Sequence, residues 1–596
     1  MSKFLHSGLF KAVQYCFASS RLACLAIILS TILCSFIPII NTIVLAKWID
    51  DMTLVFEGNL SINVLYGNLV FIAVLMLLIQ LQPHINELMF ARLKLSIGKN
   101  FLPRIINDTS MLRYEHIENP QSRELLIRVF EEPEEQITNL FQYECNILGN
   151  GIQMLNTLIL LFANVWYAAV IVLFISIPNI MLSIKGGKKT YDSYRSTSMD
   201  IMKYTAYDEI LVGQKAVHER VLFGYSNKIH ELWKTLYRHV QSIDLRTRLK
   251  WDLMICGTKG TILIMAYAII VVLMLNTFSG NLSFGQLVSF SYAVLSLESV
   301  ISWGISRNVN LLMEKKCYLD DLAVFSNLSK IRSVEKDYDE EIMSIELQNI
   351  NFRYPNTEKC VLNNISLVLE KGKHYAFVGS NGSGKTTLVK LLLGLYDNYG
   401  GKIIIKTVEG IDSSIDKYTS YFSVVHQDFA KYPLSLFENI SLGNIQLRND
   451  PDRINKTLTI LSTLGLETLV NQIGLYAPLG KLNDTGIDIS EGQWQKIAMA
   501  RAFARSASCY ILDEPTAALD PMIENEIYQN YSELTKDKTT IFISHRLAST
   551  KLADVIYVLD AGTIVETGSH DVLMKNNGLY KKMYDMQRSW YCEKES

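Results

Sequence analysis

Hydrophobicity is spread unevenly along the chain, and this constrains the fold more than any other feature. Six long apolar stretches lie before residue 313: Leu22 to Ala46, Val64 to Leu81, Ile147 to Ala163, Val165 to Ile184, Leu253 to Leu275 and Leu287 to Leu312. Most reach the roughly 20 residues needed to cross a hydrocarbon core. The third is short and polar, and it is kept because it sits back to back with the fourth. After Leu312 no stretch is long enough. The reading is therefore a membrane all-α domain of six helices over 1–313, a linker of mixed charge over 314–341, and a soluble domain over 342–596.

Composition agrees. Apolar residues make up 49% of the chain and charged ones only 19%, below the quarter usual in soluble domains. Lys+Arg (57) and Asp+Glu (59) nearly cancel, which argues against nucleic acid as a dedicated partner. The nine cysteines are scattered without metal-ligand spacing, as expected of small buried hydrophobes in a reducing compartment. The first apolar stretch is longer than a signal-peptide core and lacks a cleavage pattern, so it is predicted to be a retained helix. Loop charges orient the rest. Arg92, Lys94, Lys99, Arg104, Arg113, Arg123 and Arg128 crowd one long loop, and 185–250 is also basic, whereas 48–61 holds Asp50, Asp51 and Glu57 and no Lys or Arg. The positive-inside rule puts both termini, the long loops and the soluble half in the cytoplasm.

The soluble half carries the chemistry. Residues 376–386 read AFVGSNGSGKT, in which Gly379, Gly382, Gly384, Lys385 and Thr386 fill the pattern G-x-x-x-x-G-K-[ST]. It follows an apolar run, His374 to Val378, and precedes a helical one beginning at Thr387. Backbone N–H groups must close on phosphates there, so side chains are excluded at the turns. Lys385 supplies a charge for the β/γ-phosphates and Thr386 a hydroxyl for Mg²⁺. The loop residues Ser380, Asn381 and Ser383 complete the cradle. A second apolar strand, Ser508 to Leu512, ends in Asp513-Glu514. A carboxylate at that position suits the magnesium ion, and Glu514 beside it is placed to polarise the attacking water.

With these residues in view, the chain resembles the ATP-binding cassette exporters, in which six membrane helices are fused to one α/β P-loop nucleotide-binding domain. ISEGQ at 489–493 resembles the LSGGQ signature, Gln427 in VVHQDF the Q-loop glutamine, and Ala518-Leu519-Asp520 the D-loop. His545 in ISHR resembles the switch histidine, and Tyr354 in FRYP the aromatic that stacks on adenine. The resemblance implies ATP and Mg²⁺ as cofactors. Gln427 would sense Mg²⁺ and water, His545 would donate to the γ-phosphate, and Ser490, Gly492 and Gln493 would contact the phosphate bound on an opposite subunit. Glu514, His545 and Gln427 are thus the expected catalytic residues, and Thr386, Gln427 and Asp513 the expected magnesium set. One motif set per chain implies pairing, and intact Glu514 and His545 favour a homodimer. Glu491 departs from the signature, where a glycine is usual.

The same resemblance implies coupling segments near Leu112-Arg113-Tyr114-Glu115 and from Ala216 to Gly224. Asn146, Asn150, Gln153 and Thr157 share one helical face; that face lines a cargo cavity or forms interhelical hydrogen bonds. Glu298 lies inside the sixth stretch, either facing cargo or paired internally, with Lys259 as a potential partner. About 20 residues precede the first helix, leaving no room for a peptidase domain. ISEGQWQKIAMARAF and QDFAKYPLSLFENI look most like bacterial exporters of modified peptides of the lanthipeptide type. The expectation is a peptide exporter in a bacterial plasma membrane, with export of a drug-like amphipathic molecule or lipid as the alternative. A nucleic-acid ATPase is opposed by the six spans. An ATP-gated channel or regulatory membrane ATPase would share every motif.

Overall fold

The computed structural model describes residues 12–213, 216–280, 282–328, 330, 341–355, 357–408, 410–412, 421–480, 486–513, 535, 537–543 and 549–592. The chain divides into two compact units, one of 1–112 and 116–330, the other of 113–115 and 331–596.

The first unit is helical. Its principal helices are α1 (Arg21–Ser35), α2 (Ile37–Phe56), α3 (Asn63–Asn100), α4 (Pro120–Phe130), α5 (Pro133–Val212), α6 (Val217–Phe223), α7 (Ser226–Phe278), α8 (Phe284–Ser299) and α9 (Ser306–Ser326). Among the described residues, six helical segments are long and apolar enough to span a membrane, and each contains one of the six stretches read from the sequence. They are far longer than a bilayer requires. The 53 residues of α7 extend roughly 80 Å against a hydrocarbon core of about 30 Å. The surplus in α5 and α7 covers the basic segment 185–250. The 80-residue α5 holds both the third and the fourth stretch, divided at Val165, whose φ of −145° and ψ of 72° are not helical.

Polar groups inside this unit are tied to one another. Asn179 accepts from Thr258 at 2.9 Å and from Ser306 at 3.3 Å, and Ser306 also meets Ser183 at 2.5 Å, linking α5, α7 and α9. Towards the other end of α9, Arg128 and Asp321 form a buried ion pair. A π-helical turn, Val300–Ile305, joins α8 to α9.

The sequence reading placed a linker from Glu314, but Glu314–Ser326 continues α9 as helix. The physical reason is an apolar face: Tyr318, Leu319, Leu322 and Phe325 recur at helical spacing and are buried.

The second unit holds two sheets. Strands β1 (Ile342–Arg353), β2 (Cys360–Glu370), β3 (His374–Gly379), β4 (Gly400–Thr407), β5 (Ile411–Asp412), β6 (Phe422–Val425), β7 (Cys509–Asp513), β8 (Thr539–Ile543), β9 (Val555–Asp560) and β10 (Thr563–Gly568) make a four-stranded sheet ordered β2-β1-β4-β5 and a six-stranded one ordered β10-β9-β3-β8-β7-β6. In the larger sheet β9, β3, β8, β7 and β6 run parallel, and β10 is an antiparallel edge. Every residue of β7 and β8 is buried, as expected where a parallel sheet is covered on both faces. Phe377, Leu388, Leu391, Ile511 and Ile541 knit the parallel sheet to Leu347, Phe352 and Ile403 of the smaller one.

Candidate nucleotide-binding site

Parallel strands bring their C-terminal ends to one edge, where ligands of such sheets bind. Here that edge carries the loop after Gly379 of β3, Asp513 at the end of β7, and Gln427 two residues beyond β6. Register fixes the neighbours: Val425 lies beside Leu512, and Asp513 beside Ile543 of β8. The motifs are distant in sequence, and the strand order is what makes them adjacent.

The loop itself is shaped by glycine. Gly379 (φ 158°), Gly382 (φ 79°) and Gly384 (φ 104°) all adopt backbone that disfavours side chains. A Cβ on Gly379 would stand 2.2 Å from the Leu559 carbonyl oxygen, and one on Gly384 2.7 Å from Leu362. At Gly382 nothing lies within 4 Å, so the backbone there is open to a ligand. Lys385, at the start of α10 (Lys385–Leu392), is buried and folds its ammonium over the loop, donating to the carbonyls of Gly379 and Ser380 at 2.9 and 3.0 Å. The Ser383 hydroxyl is buried without a hydrogen-bond partner among the described residues. A cationic ammonium, an orphaned hydroxyl and a helix N-terminus converging on an open glycine turn fit a polyphosphate. Thr386 is exposed beside them and Asp513 is buried.

Tyr354 is held rather than loose. Its hydroxyl meets the Thr387 hydroxyl at 2.9 Å, and its ring packs edge-on against Phe352 and Tyr396, with centroids 5.1 and 5.6 Å away. Thr387 thus serves the aromatic rather than exposing itself, as it is buried. Asn381 and Ser380 are exposed on the loop. Glu514, Asp520 and His545 lie outside the described residues.

The signature segment opens α11 (Glu491–Phe503), which is anchored by buried Trp494, Ile497 and Met499. Ser490 is the N-cap. Its hydroxyl accepts from the Gln493 N–H at 3.3 Å, while the Gln493 side chain accepts from the Ser490 N–H at 2.9 Å. This reciprocal capping box has a local sequence signal, the S-x-x-Q spacing of Ser490 and Gln493. The sequence reading missed Lys431, whose ammonium pairs with the Glu491 carboxylate.

In the membrane unit the cavity candidates Asn146, Asn150, Gln153, Thr157 and Glu298 separate, and Thr157 is buried with its hydroxyl donating to the Gln153 carbonyl at 2.9 Å. Asn146 donates to the Asn308 side chain at 3.1 Å, and Asn150 packs on Gly304, where a Cβ would stand 2.9 Å from its amide. Interhelical packing accounts for both. Gln153 and Glu298 are half-buried, and Glu298 makes no hydrogen bond or ion pair among the described residues. Lys259 does not partner it, because the Lys259 ammonium lies 3.6 Å from the centre of the Trp303 ring, where the ring quadrupole attracts a cation.

Comparison with known proteins agrees with this geometry. The family model described as ABC transporter matches residues 362–517. The subtilin transport ATP-binding protein SpaT of Bacillus subtilis is 30% identical over 580 residues, 96% of this chain and 93% of the relative. The nisin transport ATP-binding protein NisT of Lactococcus lactis is 29% identical over 579 residues, 95% of this chain and 93% of the relative. In fold, the chain is similar to a bacterial Atm1-family ABC exporter solved with ATP bound, at a TM-score of 0.78 and 18% identity, over 95% of this chain and 99% of that one. The chain belongs to the ATP-binding cassette exporters, multi-pass membrane half-transporters that couple ATP hydrolysis to transport.

Proposed function

We propose that this chain exports a modified, leader-bearing peptide as a homodimer in a bacterial plasma membrane, with its termini and nucleotide-binding unit in the cytoplasm. The observation that carries the cargo class is the similarity to SpaT and NisT over 95% or more of the chain, membrane half included. Cargo is chosen in that half.

In this reading ATP lies along the sheet edge and Mg²⁺ supplies charge neutralisation at its phosphates. Gly379, Ser380, Asn381, Gly382, Ser383, Gly384 and Lys385 hold the phosphates, Tyr354 with Thr387 behind it receives the adenine, and Thr386, Gln427 and Asp513 hold the metal. Glu514 accepts the proton of the attacking water, and His545 donates to the developing negative charge. Asp520, Ser490, Gly492 and Gln493 serve the site of the second subunit. Gln153 and Glu298 face cargo. The homodimer is supported by α6, on which Val221, Leu222 and Phe223 are 77%, 77% and 69% exposed, a run of apolar surface that calls for a cover.

The test is ATPase activity of the protein in lipid nanodiscs, with cationic leader-bearing peptides and with hydrophobic drugs. Stimulation by peptides and not by drugs is expected; stimulation by drugs or lipids alone would overturn the cargo assignment. Glu514→Gln should retain ATP binding and lose hydrolysis, and near-normal turnover would overturn the role of Glu514.

A further inference from the structure

We propose that Lys431 is a positioning residue that neutralises Glu491, so that the start of α11 can receive a phosphate despite carrying a carboxylate. The inference rests on the reading above that this helix start faces the phosphate of a second subunit.

Glu491 is the first residue of α11. An acidic side chain there suits the helix, because it offsets the positive end of the dipole. It is unsuited to a second anion at the same place. The carboxylate competes for the backbone N–H groups and repels phosphate. The structure supplies a remedy 60 residues earlier in the chain, where the Lys431 ammonium pairs with Glu491.

That lysine is held in place from both sides. Arg501, near the end of α11, donates to the Ala430 carbonyl at 3.2 Å and stacks its guanidinium 4.5 Å from the centre of the Tyr432 ring. It also binds Asn439 through the backbone carbonyl at 3.1 Å and the side-chain oxygen at 2.9 Å. Asn439 in turn donates to the carbonyls of Tyr432 and Leu434, both at 3.1 Å. Residues 430 and 432 are therefore pinned to the body of α11, and Lys431 between them is presented towards its start. Stability does not explain the pair. Its side chains are 44% and 57% exposed, and ion pairs so placed contribute little to folding. The local charge at the helix start is what the pair changes.

The test compares Lys431→Gln, Glu491→Gly and the double variant, each in the full chain carrying Glu514→Gln and held in nanodiscs. The readout is the ATP concentration giving half-maximal protection of residues 487–494 from hydrogen exchange. Lys431→Gln is expected to raise that concentration on the order of tenfold, as one uncompensated surface charge would. Glu491→Gly alone, which leaves the Lys431 charge uncompensated, should lower it by a comparable factor, and the double variant should return to within about twofold of the parent. In otherwise unmodified protein the same pattern should appear in KM for ATP with kcat little changed. No effect of Lys431→Gln, or an equal defect with Glu491 absent, would overturn the assignment of Lys431 alone. Absence of ATP-dependent protection in the parent would overturn the reading of the helix start, and this inference with it.

Discussion

Replacing Asp321 by alanine should loosen one end of the helical unit in a measurable and local way. Arg128 of α4 reaches Asp321 of α9 through two hydrogen bonds, 2.7 and 3.3 Å long, and the two side chains are only 6% and 7% exposed. The Tyr191 hydroxyl of α5 donates to the same carboxylate, and Arg128 keeps a second partner in Glu124 at 2.7 Å. Removing one member of a buried pair costs about 3–5 kcal/mol, because the other is left charged and uncompensated. Glu124 moderates that cost, and the stranded Tyr191 hydroxyl adds about 1 kcal/mol. A net loss near 3 kcal/mol follows, equivalent to a change on the order of 100-fold in a local opening equilibrium. Hydrogen exchange of the protein in nanodiscs, read over 122–130 and 317–325, should accelerate by that factor in Asp321→Ala. The paired change Arg128→Met with Asp321→Leu should recover part of the protection, since an apolar pair of similar volume needs no counter-charge while the Tyr191 hydroxyl and Glu124 still lose their partners. Acceleration below about threefold in the single variant, or equal damage in the paired one, would refute the reasoning.

Two further outcomes follow from the same structure. A Cβ on Gly187 of α5 would stand 2.1 Å from the Asn310 carbonyl oxygen of α9, so Gly187→Ala should destabilise by about 1–3 kcal/mol, lowering the thermal midpoint, while Gly257→Ala, with nothing within 4 Å, should not. His374 has its Nδ1 buried without a partner among the described residues, and burial holds its pKa below the usual histidine value, partly opposed by Asp554. The unfolded chain therefore takes up a proton that the folded one resists. Stability from this group is present above about pH 6.5 and is lost as pH falls below it, so His374→Phe should lose less of its thermal midpoint between pH 7.5 and 5.5 than the parent. An equal loss would remove His374 from the account.

How legible each feature was depended on how local its cause is. AFVGSNGSGKT could be read directly because strand, turn and helix start lie within a dozen residues, and three glycines do what only glycine can do there. The adjacency of Asp513 and Gln427 could not, since it depends on a strand order in which β8 enters between β3 and β7. Charge misled at the end of the helical unit. Glu314, Lys315, Lys316 and Asp320 suggested a solvated linker, although the apolar residues between them were at helical spacing. Lys259 stood open as a partner for Glu298, and Trp303, five residues beyond Glu298, offers the cation a ring instead. Glu144 gave no signal at all, because its two buried oxygens, without a hydrogen-bond partner among the described residues, reflect packing by other helices and not its own neighbours in sequence.

The capping box at Ser490 shows why a motif reading and a structural reading of the same residues need not compete. A hydroxyl has one donor and two acceptor positions, and a side-chain amide has two donors on nitrogen besides its oxygen. The cap uses the Ser490 oxygen as an acceptor for the Gln493 N–H, and the Gln493 oxygen as an acceptor for the Ser490 N–H. Only acceptors are consumed. The serine proton and both amide protons of Gln493 stay available, and donors are what a phosphate requires. The interaction that starts the helix thus fixes two side chains with their donors uncommitted, and it does so before any nucleotide arrives. An aspartate at 490 would cap the helix as well but would bring no donor and a second negative charge. The helix alone therefore does not select serine over aspartate at 490, whereas the phosphate contact proposed for Ser490 would.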